Sequence, residues 1–85
     1  MIQICDKDHR DDPMFIVLPI SQAHGDGRHK CAGCAYDQGL IDGTQGLEPN
    51  FRPDDLNWSQ AGVVRHKSAL AGYMMGYVDG LRTIV

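Results

Sequence analysis

Ser68-Ala-Leu-Ala-Gly-Tyr-Met-Met-Gly-Tyr-Val-Asp-Gly-Leu81 is the stretch on which the fold turns. Serine is a strong N-cap residue, and Gly72, Gly76 and Gly80 recur at every fourth position, which puts them on one helical face. Each interior glycine costs a helix ~1 kcal/mol relative to alanine. A stripe of three therefore needs a compensating contact, and close approach of a second helix supplies one, because small residues let two backbones come together. The spacing predicts a helix over residues 68–82.

The same chain contains a second copy of the pattern. Cys31–Gly43 aligns with Ser68–Gly80 without gaps, matching Ala32/Ala69, Tyr36/Tyr73, Gly39/Gly76, Asp42/Asp79 and Gly43/Gly80. Upstream, with His24 as a one-residue insertion, Leu18/Leu56, the two Ser-Gln-Ala triplets, one glycine and the two Arg-His-Lys triplets also match. Thirteen of 25 aligned positions are identical. We read this as an internal duplication, 18–43 and 56–80, of an L-x-x-S-Q-A-G-x-x-R-H-K-x-A-x3-Y-x2-G-x2-D-G motif within a single domain, 1–85. Two copies are too few for a solenoid, which needs about three, so a closed pair around a pseudo-twofold axis is expected.

The first copy predicts a helix over 31–43, to be packed on helix 68–82 through the small faces. An antiparallel pairing is expected from the charges. Aspartate late in a helix and a basic cluster early both oppose the macrodipole, and each copy does both. Antiparallel packing would exchange these groups as Arg28–Asp79 and Arg65–Asp42 ion pairs. Outside the motif, Ile2–Cys5 and the apolar run Met14–Leu18, stopped by Pro19, read as strands of a small N-terminal β-hairpin turning through 6–13. Residues 44–58 form the inter-repeat loop, with a short turn at 54–58. The expected fold class is α+β: a small hairpin covering two antiparallel helices.

Bulk properties narrow the function classes. At 85 residues the chain is near the lower limit for folding alone, where metals, disulfides or partners are often recruited. The formal charge of −3 gives no overall attraction for nucleic acid. No run approaches the roughly 20 apolar residues that cross a bilayer, and the first residues lack a basic and apolar signal pattern. A cytoplasmic protein with reduced thiols and no membrane partner is the expectation.

Two constellations could carry chemistry. Cys31-Ala-Gly-Cys34 is a C-x2-C pair, half of a zinc site. Cys5 and His9 would complete a Cys3His set, and His66 with His29 or His24 is the alternative. Against this, Ser68 and Ala71 occupy the equivalent places in the second copy, so the thiols could simply pack as small apolar groups. A dithiol redox role is a third reading, although the strand expected to lead into such a helix is missing. The second constellation is the pair of triplets Arg28-His29-Lys30 and Arg65-His66-Lys67, each just before a helix whose N-terminal N–H groups favour anions. With antiparallel helices these would sit on the order of 15–20 Å apart.

No nucleophile elbow, P-loop or dinucleotide fingerprint occurs, so an enzyme is not expected. The leading expectation is a small non-enzymatic binding module. It would contact an anionic partner, most plausibly nucleic acid, through the two triplets, with a zinc ion at the cysteines. The alternative is a protein–protein or homodimerisation module whose charged triplets are purely structural.

Overall fold

The computed structural model of the chain describes residues 4–5, 13–19, 29–59 and 67–83. Two α-helices dominate them, α1 (Ala32–Thr44) and α2 (Ala69–Arg82), each preceded at some distance by a 3-10 turn, Pro13–Val17 and Pro53–Asp55. Both helices begin with the same device. Cys31 and Ser68 lie in extended backbone, and their Sγ and Oγ accept from the N–H of Cys34 and Ala71, three residues on. That contact satisfies one of the donors that a helix start leaves open.

The helices touch through their small faces, so closely that a side chain on several glycines has no room. A Cβ on Gly39 would lie 2.0 Å from the Tyr73 carbonyl oxygen, and one on Gly76 would lie 2.0 Å from that of Tyr36. The order of these contacts fixes the direction. Gly72 meets Ala32, Gly76 meets Tyr36 and Leu40, and Gly80 meets Leu40 and Thr44. Contacts that advance together along both helices mean that α1 and α2 run parallel.

The expected antiparallel arrangement is therefore corrected. The late aspartates find partners among the described residues, whereas the expected Arg28–Asp79 and Arg65–Asp42 pairs lie outside them. Asp42 takes a hydrogen bond from Tyr73 and an ion pair from Arg52, whereas Asp79 takes a hydrogen bond from Tyr36 and lies 3.7 Å from Arg82. The described residues that follow α1 already reach back to its start, where the carbonyls of Asn57 and Trp58 accept from Cys31 and Cys5.

The expected β-hairpin is also overturned, and with it the α+β class: among the described residues there is no strand, and the domain is two-helical. Met14–Leu18 reads as a strand by its unbroken apolarity, yet its burial follows a period of three. Phe15 and Leu18 are buried while Ile16 and Val17 are exposed, and Leu18 N–H donates to the Phe15 carbonyl at 3.1 Å. This is the i, i+3 geometry of a 3-10 turn, entered through Pro13, whose fixed φ suits the first position. Ile4 forms only an isolated bridge with Trp58. The rest of the proposed hairpin, residues 1–3 and 6–12, lies outside the described residues.

Two small cores flank the helix pair. One joins Cys5, Phe15, Leu18, Cys31 and Ala32, with Tyr36 against it, and the other joins Ala35, Leu56, Ala69 and Tyr73, with Phe51 against it. Phe15 meets Tyr36 edge-on with ring centres 5.8 Å apart, and Phe51 meets Tyr73 at 5.7 Å. Both helix starts are also held by backbone: Cys31 N–H donates to the Asn57 carbonyl, and Ser68 N–H to that of Pro19.

Candidate metal centre

The candidate site lies at the N-terminal end of α1. Cys5, Cys31 and Cys34 converge there, their sulfur atoms all within 4.8 Å of one another. Their positions are fixed by backbone. Residues 57–59 act as a strap: Cys5 N–H donates to the Trp58 carbonyl at 2.9 Å, Cys31 N–H to that of Asn57 at 2.9 Å, and Ser59 N–H to that of His29 at 2.8 Å. Lys30 secures the strap from outside, with Nζ 3.9 Å from the Trp58 ring centre and bonded to the Leu56 carbonyl at 3.2 Å. That is a cation–π contact combined with a hydrogen bond.

Cys5 and Cys31 are buried, 1% and 0% exposed, whereas Cys34 is only partly so. All three are reduced. The Cys34 thiol hydrogen-bonds Cys31 and is the largest cause holding the Cys31 thiol below its ordinary pKa; the Cys34 N–H adds to this, while burial and Cys5 oppose it. The result favours thiolate at Cys31, the form that ligates metals. Three sulfurs at this separation could hold a soft or borderline metal ion such as zinc.

Of the other metal candidates, His29 lies outside this sulfur group. It is exposed and holds a left-handed backbone, φ 63°, uncommon for a residue with a Cβ. His9, His24 and His66 lie outside the described residues. So do Arg28 and Arg65 of the basic triplets. Lys67 is seen, and its ammonium donates to the Ile16 carbonyl at 3.0 Å. Lys30 and Lys67 therefore both tie down backbone. Because the helices are parallel, the residues just before α1 and α2 lie at the same end of the domain, not at the opposite ends expected.

A second polar centre went unnoticed in the sequence. Asp42, 4% exposed, accepts from Tyr73 Oη at 2.5 Å and from both terminal nitrogens of Arg52, at 3.0 and 3.3 Å. The Arg52 guanidinium is the main cause of a lowered Asp42 pKa, while burial, then the bond to Asp42, raises that of Tyr73. Tyr73 Oη also accepts from Asn50 N–H at 2.7 Å. Every partner is satisfied, which makes this a structural lock. The repetition of Tyr36/Tyr73 and Asp42/Asp79 was the available signal, whereas Arg52 lies outside the motif and carried none.

No helix among the described residues is long and apolar enough to cross a membrane. Comparison with family models, with curated proteins and with solved structures finds no match to this chain.

Proposed function

We propose that the chain is a small non-enzymatic module in which a zinc ion, held by Cys5, Cys31 and Cys34, ties the N-terminal segment to the start of α1. The convergence of three sulfurs within 4.8 Å carries this reading. The comparison of the two helix starts supports it. Ser68 caps α2 with an oxygen in the same position where Cys31 caps α1 with a sulfur, so the cap itself makes no demand for a thiol. A domain with so few large buried side chains gains from such a staple. His9, four residues beyond Cys5, is the proposed fourth ligand of a tetrahedral site.

Metal content of the purified chain, and zinc titration with mass spectrometry under native conditions, test the reading. One zinc per chain is expected for the wild type and none for Cys5→Ser or Cys34→Ser. A wild-type chain that takes up no zinc under reducing conditions would falsify it.

The partner is proposed to be anionic, with nucleic acid as the first candidate. The parallel helices support this reading, because Lys30 and Lys67, the last residues of the two triplets, both precede helix starts that lie at one end of the module. With the ammonium groups of Lys30 and Lys67 engaged by carbonyl oxygens, the contact is proposed to fall on Arg28, His29, Arg65 and His66. Binding to labelled DNA and RNA at low salt, weakening steeply as salt is added, is the expected result. Affinity that is undetectable for both, or unchanged in Arg28→Ala/Arg65→Ala, removes this part and leaves an interaction with another protein or a second copy of the chain as the reading.

A further inference from the structure

The three sulfurs are not equally accessible. Cys5 and Cys31 are sealed by Phe15, Leu18 and Ala32, whereas Cys34 reaches the wall of an open cleft of about 350 Å³, opposite Leu56, Asn57 and Arg52. The cleft easily admits a small peroxide. Cys34 is therefore the member of the cluster that an oxidant reaches first, and a second sulfur, Cys31 Sγ, belongs to the preceding helical turn and lies within 4.8 Å of Cys34 Sγ. A sulfur that oxidises first, with a partner poised to close on it, is the arrangement of thiols that sense oxidants.

We infer that this cluster is a site of two-electron oxidation by hydroperoxides, entering at Cys34 and ending in a Cys31–Cys34 disulfide that expels the metal ion. The oxidation stands on the burial pattern and the cleft, and the expulsion rests on the zinc reading above. In the first step the Cys34 sulfur attacks one oxygen of the peroxide. An S–O bond forms, the O–O bond breaks, and the departing oxygen takes a proton to leave as water, or as an alcohol from an alkyl hydroperoxide. Cys34 is then a sulfenic acid. In the second step Cys31 sulfur attacks Cys34 sulfur, the S–S bond forms, the S–O bond breaks, and hydroxide leaves with a proton as a second water.

The two sulfurs have lost two electrons and the peroxide has gained them. Two of the three sulfur ligands are consumed, so zinc leaves as the free cation and Cys5 takes a proton from solvent. Cys5 keeps its burial and the bond from its N–H to the Trp58 carbonyl. A thiol reductant reverses the sequence by exchange at the disulfide.

The zinc-loaded full chain, treated with one to a few equivalents of hydrogen peroxide, tests this. Released zinc is read with a chromogenic chelator, and disulfides are mapped by peptide mass spectrometry. Bound zinc should fall about tenfold or more as two ligands are lost, in step with a Cys31–Cys34 linkage, and both changes should reverse with dithiothreitol. The same treatment of metal-free chain separates the two readings. If the chain binds no zinc the staple is lost, yet the linkage still tests the oxidation by itself. Cys5→Ser should still form the Cys31–Cys34 disulfide, and Cys34→Ser should keep its two remaining thiols reduced. Oxidation of Cys34→Ser at the wild-type rate overturns entry through Cys34. Zinc retained by a chain shown to carry the disulfide overturns expulsion. Wild-type oxidation that stops at Cys34 sulfinic acid overturns the switch.

Discussion

Tyr73 of α2 donates a 2.5 Å hydrogen bond to Asp42 of α1, and the motif-equivalent pair, Tyr36 and Asp79, is joined at 2.6 Å in the reverse sense. Each helix thus lends a hydroxyl to the other's late aspartate. The two bonds differ in surroundings. Tyr73 and Asp42 are buried, whereas the Asp79 side chain is 35% exposed.

Tyr73→Phe should accordingly cost about 2–3 kcal/mol, since it removes a buried bond to a charged acceptor and strands the Asn50 N–H. Tyr36→Phe should cost about 1 kcal/mol or less, because water can replace its hydroxyl at Asp79. Denaturant unfolding of the two variants gives the comparison. Equal losses would show that burial does not distinguish the pairs.

Acid should unfold the domain through Asp42. Its folded pKa lies below the usual carboxylate value, principally because of Arg52, so its stabilisation is fully present above the unfolded value of about 4 and is lost as pH falls through the folded one. Stability measured from pH 7 down to pH 2 should drop across that window. The Asp42→Asn chain should be weaker at neutral pH and nearly flat below pH 4. A drop of the same size in both would assign the acid sensitivity to other carboxylates.

Glycine at the helix contact should be irreplaceable. At an ordinary helix position Gly→Ala stabilises by about 1 kcal/mol. At Gly39 or Gly76 the new methyl would stand 2.0 Å from a carbonyl oxygen of the opposite helix. The sign should invert, with a loss of about 3 kcal/mol or more as the helices are forced apart. A rise in Tm for either variant would contradict the close parallel packing.

Metal removal should act only where the thiols are intact. Cys31→Ser keeps a cap acceptor, as Ser68 demonstrates in α2, so the metal-free variant should still fold, at a cost of about 1–2 kcal/mol for a hydroxyl in the buried site beside Phe15 and Leu18. Adding zinc should raise the wild-type Tm and leave the variant unmoved, by the linkage between binding and stability. Equal thermal shifts in both would place the metal elsewhere.

Particular residues show how far the sequence could be read. Ser68 and the run Gly72, Gly76, Gly80 located α2 to within a residue at each end, and the matching run located α1. Direction was not legible in them. A stripe of small residues closes on another stripe at either polarity, and Asp42 gave no pointer to its described partner Arg52, which lies outside the repeated motif. The strand expected at 14–18 failed because a five-residue apolar run carries no period until its neighbours are known; Phe15 and Leu18 supply a period of three only once they are seen buried. The C-x2-C pair was plain, and Cys5, one of its candidate partners, lies beside it in the fold. The strap through Trp58 that unites them arises from a bridge between segments more than fifty residues apart, which no local pattern announces.

Parallel helices have a kinetic consequence. A hairpin of antiparallel helices can zip from its loop, gaining contacts as soon as the turn forms. Here the bonds between α1 and α2 join residues 31 and 43 positions apart, Asp42 to Tyr73 and Tyr36 to Asp79, more than a third of an 85-residue chain in each case. Almost the whole entropy of closing that loop is lost before any interhelical contact is gained. The domain should therefore fold in milliseconds or slower, the range of mixed and β-rich proteins rather than helical bundles, and neither half should hold its helix without the other.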